Sequence, residues 1–255
     1  MNFIEKFWSE NANKYKGSHW ASWGDNFSID LEIGVISRHI NNGDMVLDVG
    51  CANGYSTFKQ KDRHSINIVG VDFCYNMVKV AHERMEKEKA EGISFIKGDV
   101  RCLPFENDLF DVTYTTRTLI NLPTWKEQMK GVEECLRVTR PGGKVILSEG
   151  FAEPLFRLNS LRALCNLSPL YEHDFNRYLK QELLEAFLEE KNIYKFKSEE
   201  FSSTYYLGSR FLRELEQTNE KYEGYSNPIN KEFFELQSKF KTRGFGIQIA
   251  YVINK

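Results

Sequence analysis

A turn rich in small residues follows the first short apolar stretch of the chain. The segment VLDVGCANGY carries Asp48, Gly50, Ala52 and Gly54 at alternate positions. Glycines at a strand-to-helix turn let a ligand approach the main chain closely, and the free N–H groups of the following helix bind polar or anionic groups. A dinucleotide fingerprint would read GxGxxG, but counting from Gly50 places Ala52 and Tyr55 where the other two glycines should stand. The spacing therefore indicates a small ligand of another kind.

Two further acids follow later apolar segments. Asp72 ends IVGVD, and Asp99 follows ISFIKG. In a doubly wound sheet the carboxyl ends of the strands open onto one crevice. Either acid alone would more often be a solvated loop residue, but three such sites in order along the chain predict a shared ligand crevice.

Three residues are candidates for catalysis. Glu149 ends the fifth apolar segment and is expected from the topology to point into the crevice, where it can act as a base or hold a neighbouring side chain. His173 lies in YEHDFN, where it can be a base oriented by Asp174 or Glu172, or a loop histidine of structural role. Asn121 follows the fourth apolar segment, at the same predicted edge of the sheet. The sequence leaves these alternatives open.

The elements that position these residues alternate between short strands and longer helices, which predicts an α/β fold with a parallel sheet covered on both faces. The predicted strands are residues 45–49, 67–72, 93–98, 109–115, 143–149, 193–204 and 246–254. The predicted helices are residues 55–61, 76–91 and 123–138, with helical segments before 42 and over much of 151–190 and 205–240. Asn76 is the expected N-cap of the second helix. The RPGG segment at 140–143 is expected to be a compact stop between the third helix and the fifth strand.

The fold class predicted is a doubly wound, seven-stranded, mostly parallel sheet. We expect a single domain over residues 1–255. Within it, residues 1–42 form an N-terminal helical lid, 43–150 the ligand-binding core, 151–245 the cap insertions with the sixth strand, and 246–255 the last strand. Lids over such sites are often mobile, so we expect the N-terminal segment to move in the ligand-free protein.

The spacing D-x-G-x-A-x-G resembles motif I of the class I S-adenosylmethionine-dependent methyltransferases, usually (D/E)xGxGxG. The resemblance extends through VGVD, GDV, LPF, FDV and LRVTRPGG over about residues 43–150. Ala52 departs from the family by replacing the middle glycine, and its methyl group is small enough that we expect cofactor binding to survive. Within the family, the chain resembles the small-molecule enzymes that modify bacterial glycans or natural products.

The resemblance implies S-adenosyl-L-methionine as cofactor and S-adenosyl-L-homocysteine as product. It implies that Asp72 accepts hydrogen bonds from the ribose hydroxyls, that Asp99 binds the adenine amino group, and that the Val100 N–H binds a ring nitrogen. The remaining implied cofactor contacts are Asp48, Gly50, Ala52, Gly54, Thr116 at the end of strand four, and Trp20 in the aromatic N-terminal segment.

The resemblance also implies in-line transfer of the sulfonium methyl group, for which a hydroxyl acceptor needs a base. Polar and aromatic residues near the crevice favour a hydroxyl of a small polar metabolite, with a nucleotide-linked sugar for polysaccharide biosynthesis as the specific hypothesis. The expected substrate contacts are Arg117, Arg157, Asn159, Arg162, Asn176, Tyr206 and Arg210. Any one of these arginines alone would more often form a surface salt bridge.

Two alternatives stay open. A small amine can replace the hydroxyl as acceptor, or the protein can be an inactive scaffold or regulator that binds the cofactor without turnover. An RNA substrate is disfavoured by the formal net charge of -2.

Composition limits the other possibilities. The five cysteines are far apart and form no zinc pattern, and few acids fall at the ends of strands four and five, so we predict no metal and a reducing, cytoplasmic environment. No apolar run approaches the ~18 residues of a membrane span. We therefore expect neither a membrane nor a nucleic acid as partner, and a monomer or a homodimer.

Overall fold

The structure is a computed structural model that describes residues 3–215 and 224–255. Its strands are β1 Met45–Val49, β2 Asn67–Asp72, β3 Ile93–Lys97, β4 Phe110–Thr116, β5 Thr139–Gly150, β6 Phe196–Glu199 and β7 Gln248–Asn254. They form one sheet in the order β3-β2-β1-β4-β5-β7-β6. The first five strands pair in parallel, and β7 is antiparallel to both β5 and β6. The predicted doubly wound, mostly parallel sheet is confirmed.

Helices cover both faces of the sheet. They are α1 Phe3–Tyr15, α2 Asn26–Ser37, α3 Tyr55–Arg63, α4 Tyr75–Glu88, α5 Trp125–Val138, α6 Ala152–Leu164, α7 Gln181–Glu190, α8 Ser203–Leu207, α9 Arg213–Leu215 and α10 Ile229–Lys239. Adjacent residues of β1 point to opposite faces, so Val46 packs in one hydrophobic cluster and Leu47 in the other. Burial on both faces explains why the parallel strands read as continuous apolar runs.

The N-terminal segment is fastened to the glycine turn by one side chain. The Asn53 Nδ2 group donates to the carbonyl oxygens of Lys16 at 2.6 Å and Ser18 at 2.8 Å. Its Oδ1 accepts from the Tyr55 N–H at 3.3 Å, and the residue is almost fully buried. The segment that carries Trp20 is thereby held next to the turn between β1 and α3.

The cap is built from α6, α8 and α10. A π-helical turn, Gly208–Leu212, joins α8 to α9. Leu158, Tyr205 and Tyr206 form the centre of its hydrophobic cluster, against which Phe27 of α2 packs. The N-terminal segment and the cap therefore meet above the carboxyl edge of the sheet.

Several predicted elements differ from those observed. The strand predicted over 193–204 is short, because residues 203–207 form α8 instead. The RPGG segment lies inside β5, where a register shift opposite Phe110 absorbs it. Helix α4 is capped by Cys74, not Asn76. Residues 165–180 are largely irregular, and residues 216–223 of the predicted helical region lie outside the described part of the chain.

Candidate active site

A continuous cavity of about 810 Å³ runs from the glycine turn to the cap. Its core side is lined by Gly50, Ala52, Asp72 and Asp99, which the predicted crevice was expected to bring together. Its outer side is lined by the N-terminal segment and the cap. We call this outer part the acceptor chamber and define it by Trp23, Arg117, Asn121, Tyr178, Tyr206, Arg210, Tyr225 and Gln248.

The glycine turn has a backbone that favours small residues. Gly50 has φ of 80°, and a Cβ there would lie 1.9 Å from the Thr118 Oγ1 atom. Ala52 has φ of 47°, in the left-handed region where a side chain costs about 1 to 2 kcal/mol. Gly54 has φ of 76°, lies behind the cavity wall, and packs against the Phe95 ring. The turn therefore carries backbone strain at Ala52, where the related motif has glycine.

Asp72 is the buried carboxylate at the cavity wall. Its Oδ2 atom accepts from the Ala52 N–H at 2.9 Å, and its Oδ1 atom accepts from the Cys74 N–H at 2.8 Å. A carboxylate oxygen can accept more than one hydrogen bond, so each oxygen keeps acceptor capacity towards the cavity. Burial raises the pKa of Asp72 to about 6. Its placement fits a ligand with two adjacent hydroxyl groups.

Asp99 lies on the same wall and is held by an arginine. The Arg101 guanidinium bonds both of its carboxylate oxygens and also reaches Glu127 at 2.6 Å. Because of these hydrogen bonds from Arg101, the pKa of Asp99 is lowered. Val100, Thr116 and Trp20 line the cavity as well.

Asp48 lies outside the cavity lining and braces the turn from behind. Its Oδ2 atom accepts from the Thr57 hydroxyl at 2.6 Å, which ties β1 to α3. Its side chain is fully buried, and this burial raises its pKa to about 7. The position supports a role in shaping the turn and not direct ligand contact.

Glu149 likewise bonds the protein itself, at the end of β4 and in the loop that follows it. Its Oε1 atom accepts from the Thr115 hydroxyl at 2.6 Å and from the N–H groups of Thr118 and Leu119 at 3.1 Å each. Its Oε2 atom accepts from the Ile120 N–H at 3.3 Å. The side chain is fully buried and does not line the cavity, and burial raises its pKa to about 7. The expectation that Glu149 points into the crevice is wrong, because it holds the loop after β4.

His173 and Asn121 both line the cavity. His173 is exposed at the mouth, with its ring 4.5 Å from the Phe175 ring. Asn121 lies deeper, where its Nδ2 group donates to the Arg117 carbonyl at 2.6 Å. Within the described residues, the buried Oδ1 atom of Asn121 has no hydrogen-bond partner.

Arg117 and Arg210 reach the chamber, but each forms an ion pair with a buried acid. Arg117 lies 3.2 Å from Glu32, and Arg210 bonds Asp25. Tyr206 and Asn176 also line the cavity. Four of the seven expected substrate contacts are therefore brought together.

The other three expected contacts lie elsewhere. Arg157 is exposed and packs beside Gly244. The Asn159 side chain bonds the backbone of Leu170 at 2.8 and 2.9 Å. Arg162 donates to the carbonyl oxygens of Ser168 and Arg210. The first of these side chains points away from the chamber, and the other two satisfy backbone groups of the cap, so the expectation of substrate contact is not supported.

Most of the aromatic wall of the chamber was not predicted from the sequence. Trp23, Tyr178 and Tyr225 come from three distant parts of the chain. Asp25 and Glu32, which pair with the arginines, were also missed. The seven-residue spacing of the two acids was the one available signal, because residues seven apart lie on one face of a helix.

The strand order, the glycine turn, and the carboxylates Asp72 and Asp99 at successive strand ends are features of the class I S-adenosylmethionine-dependent methyltransferase fold. Residues 46–143 match a family of methyltransferase domains. Over 137 residues the chain is 31% identical to a demethylmenaquinone methyltransferase of Lactococcus lactis, covering 53% of this chain and 48% of that protein. It is 23% identical over 163 residues to the 27-O-demethylrifamycin SV methyltransferase of Amycolatopsis mediterranei, covering 60% and 56%. The chain thus spans about half the length of these relatives.

The fold resembles solved structures over more of the chain. A geranyl diphosphate C-methyltransferase of Streptomyces coelicolor, solved with S-adenosyl-L-homocysteine, superposes with a TM-score of 0.60 at 12% identity, covering 89% of this chain and 79% of that one. At this identity the match concerns the fold alone. Among the described residues, no helix is long and apolar enough to cross a membrane.

Proposed function

We propose that the protein transfers the methyl group of S-adenosylmethionine to a hydroxyl group of a small molecule held in the acceptor chamber. The observation that carries this proposal is the continuous cavity of about 810 Å³, which joins the cofactor-binding turn and Asp72 to the chamber beneath the cap. When bound, the cofactor supplies an electrophilic methyl group. The protein supplies position, which is the main requirement of such a transfer.

The residues of this chain have separate tasks in the proposal. Asp72 holds the ribose hydroxyls, and the backbone around Gly50 and Ala52 allows close approach of the cofactor. Asn121 offers its unpaired Oδ1 atom to an O–H donor, because a buried acceptor without a partner is costly unless a ligand satisfies it. Its amide orientation is fixed by the donation from Nδ2 to Arg117. A hydroxyl acceptor would be oriented by Asn121 in this way.

His173 is the remaining candidate for the base in this proposal. It lies at the mouth of the cavity, where a proton can pass to solvent, whereas Glu149 is used by the loop after β4. The name of the rifamycin relative states transfer to an oxygen, which supports the same acceptor atom. The arginines and aromatic rings of the chamber are compatible with a nucleotide-linked sugar, which is the specific acceptor hypothesis that we retain.

The first test measures cofactor binding. Isothermal titration with S-adenosylhomocysteine should give micromolar affinity for the native protein and at least tenfold weaker binding for Asp72→Ala. The control is Asp62→Ala, an exposed carboxylate on α3 that lies outside the cavity. Absence of binding in the native protein would overturn the proposal.

The second test identifies the methylated atom. The protein is incubated with methyl-labelled cofactor and a panel of nucleotide sugars, phenols and small amines, and products are assigned by NMR. An O-methyl product supports the proposal. An N-methyl product would favour the amine alternative, and cofactor binding without product from any acceptor would favour the scaffold alternative.

A further inference from the structure

The two arginines of the acceptor chamber are both held by one helix. Asp25 is the N-cap of α2, and Glu32 lies seven residues later on the same face. Asp25 pairs with Arg210 from the π-helical turn, and Glu32 pairs with Arg117 from the loop after β4. One helix face therefore fixes two guanidinium groups that come from distant parts of the chain.

In each ion pair the acid lies on the protein side and the arginine on the cavity side. The side chains of Asp25 and Glu32 are fully buried, whereas Arg117 and Arg210 line the cavity. Glu32 also accepts from the Ser148 hydroxyl at 2.8 Å, so the carboxylate is anchored from behind. Each pair is neutral as a whole but presents its positive end to the chamber. In a site of low dielectric, such oriented groups attract an anion.

Aromatic rings flank both guanidinium groups. Arg117 lies over the Trp23 ring at 4.8 Å, and Arg210 lies over the rings of Tyr206 and Tyr225 at 4.9 Å each. The Trp23 Nε1 group donates to the Tyr225 hydroxyl at 3.2 Å, which joins the two halves of this wall. Flat rings with cations between them suit a flat ligand that carries negative charge.

The arginines keep donors that the protein does not use. Across residues 3–215 and 224–255, the Nη1 group of Arg117 makes no hydrogen bond, and neither does the Nε group of Arg210. Both guanidinium groups line the cavity, and a planar oxyanion matches the geometry of their N–H groups. The unused donors and the charge direction point to the same kind of ligand.

We infer that the acceptor carries an anionic oxygen group on a flat ring system, and that this group binds between Arg117 and Arg210. The inference rests on the proposed function and specifies the acceptor class. The anion can be the carboxylate of an aromatic acid or the phosphate of a nucleotide. Both present an oxyanion next to a planar ring.

The experiment compares anionic and neutral ligands in matched pairs. Binding of 4-hydroxybenzoate is compared with 4-hydroxybenzamide, and binding of uridine diphosphate with uridine, by titration of the native protein saturated with S-adenosylhomocysteine. In one of the pairs the anion should bind at least about tenfold more tightly, as expected for one charge-assisted hydrogen bond. The ligand pair in which the anion binds more tightly shows whether the anionic group is a carboxylate or a phosphate.

The test variant is Glu32→Gln/Arg117→Gln. Removing both charges avoids leaving a buried carboxylate unpaired, which is the main reason that an Arg117 variant alone would fail to fold. The control is Arg38→Gln, an exposed arginine beyond the end of α2 that pairs with Glu199. The double variant should bind S-adenosylhomocysteine normally and lose most of the preference for the anion, while the control keeps it.

The possible failures can be told apart. If the native protein binds S-adenosylhomocysteine but neither pair discriminates, the inference is overturned and the proposed function is not. If the double variant keeps the full preference, the arginine pair is not the anion site. If S-adenosylhomocysteine does not bind to the native protein, the proposed function itself fails, and the inference fails with it.

Discussion

Replacement of Asn53 by alanine should release the N-terminal segment from the glycine turn. The change removes the two hydrogen bonds to the carbonyls of Lys16 and Ser18 and the one from the Tyr55 N–H. Each such bond contributes about 1 kcal/mol, and the buried groups left behind lose their partners. We therefore expect the free energy of unfolding to fall by roughly 2 to 3 kcal/mol.

Two measurements check this expectation. Urea unfolding gives the loss of stability, and timed trypsin digestion gives the accessibility of the chain after Lys14 and Lys16. The Asn53→Ala protein should be cleaved faster at these sites, and its affinity for S-adenosylhomocysteine should fall because Trp20 is no longer held at the cavity. Cofactor should protect the native segment more than the variant segment.

The matched control is Asn41→Ala. Asn41 is an exposed loop residue whose amide lies 3.5 Å from Asp44, so its loss should change stability by less than about 0.5 kcal/mol. If Asn53→Ala behaves like this control in both unfolding and proteolysis, the side chain does not fasten the segment. The hydrogen bonds of Asn53 would then contribute nothing measurable to the position of the N-terminal segment.

Three further changes test the turn and the buried acids. Ala52→Gly should raise the free energy of unfolding by up to about 1 kcal/mol in urea titrations, because it relieves a left-handed alanine, whereas Ala12→Gly inside α1 should lower it. Cofactor affinity in the native protein should fall as pH drops below about 6, since only ionised Asp72 accepts from both hydroxyls; Asp72→Asn should bind weakly with no such pH dependence. The pKa of Glu149 is raised to about 7, so the folded state binds a proton that the unfolded state has released. Stability should therefore decrease as pH rises from about 4.5 to 7, by up to ~1.4 kcal/mol per unit, and Glu149→Gln should reduce this slope. An unchanged slope in that variant would contradict the assignment.

The sheet and the cofactor side of the cavity followed from local sequence. Strand β1 is an apolar run that ends at a glycine turn, and β2 is an apolar run that ends in an acid. The position of each candidate binding residue therefore follows from where its own strand ends. Asp72 and Asp99 could be placed because topology brings parallel strand ends together. The sequence patterns that predict a strand and the residue at its end span only a few positions.

The acceptor side could not be predicted in the same way. Its wall brings together Trp23, Tyr178 and Tyr225, whose separation in sequence exceeds 40 residues at every step. The segment around Ser203 alternates like a strand, yet tertiary packing against α10 makes it helical. Arg162 illustrates the same limit, because only the folded cap shows that it bonds backbone carbonyls and not a ligand.

The pairing of α2 with Arg117 and Arg210 also governs how this protein can be divided or recombined. The segment that matches the methyltransferase family begins after α2, so a chain cut at that boundary would keep the guanidinium groups of Arg117 and Arg210 and lose both of their counter-charges. Such a cut would be strongly destabilising. A chimera that exchanges the cap with that of a relative must therefore carry α2 along with it. The proposed acceptor contacts would therefore have to be exchanged as two segments together, α2 and the cap, which lie on either side of the region that matches the methyltransferase family.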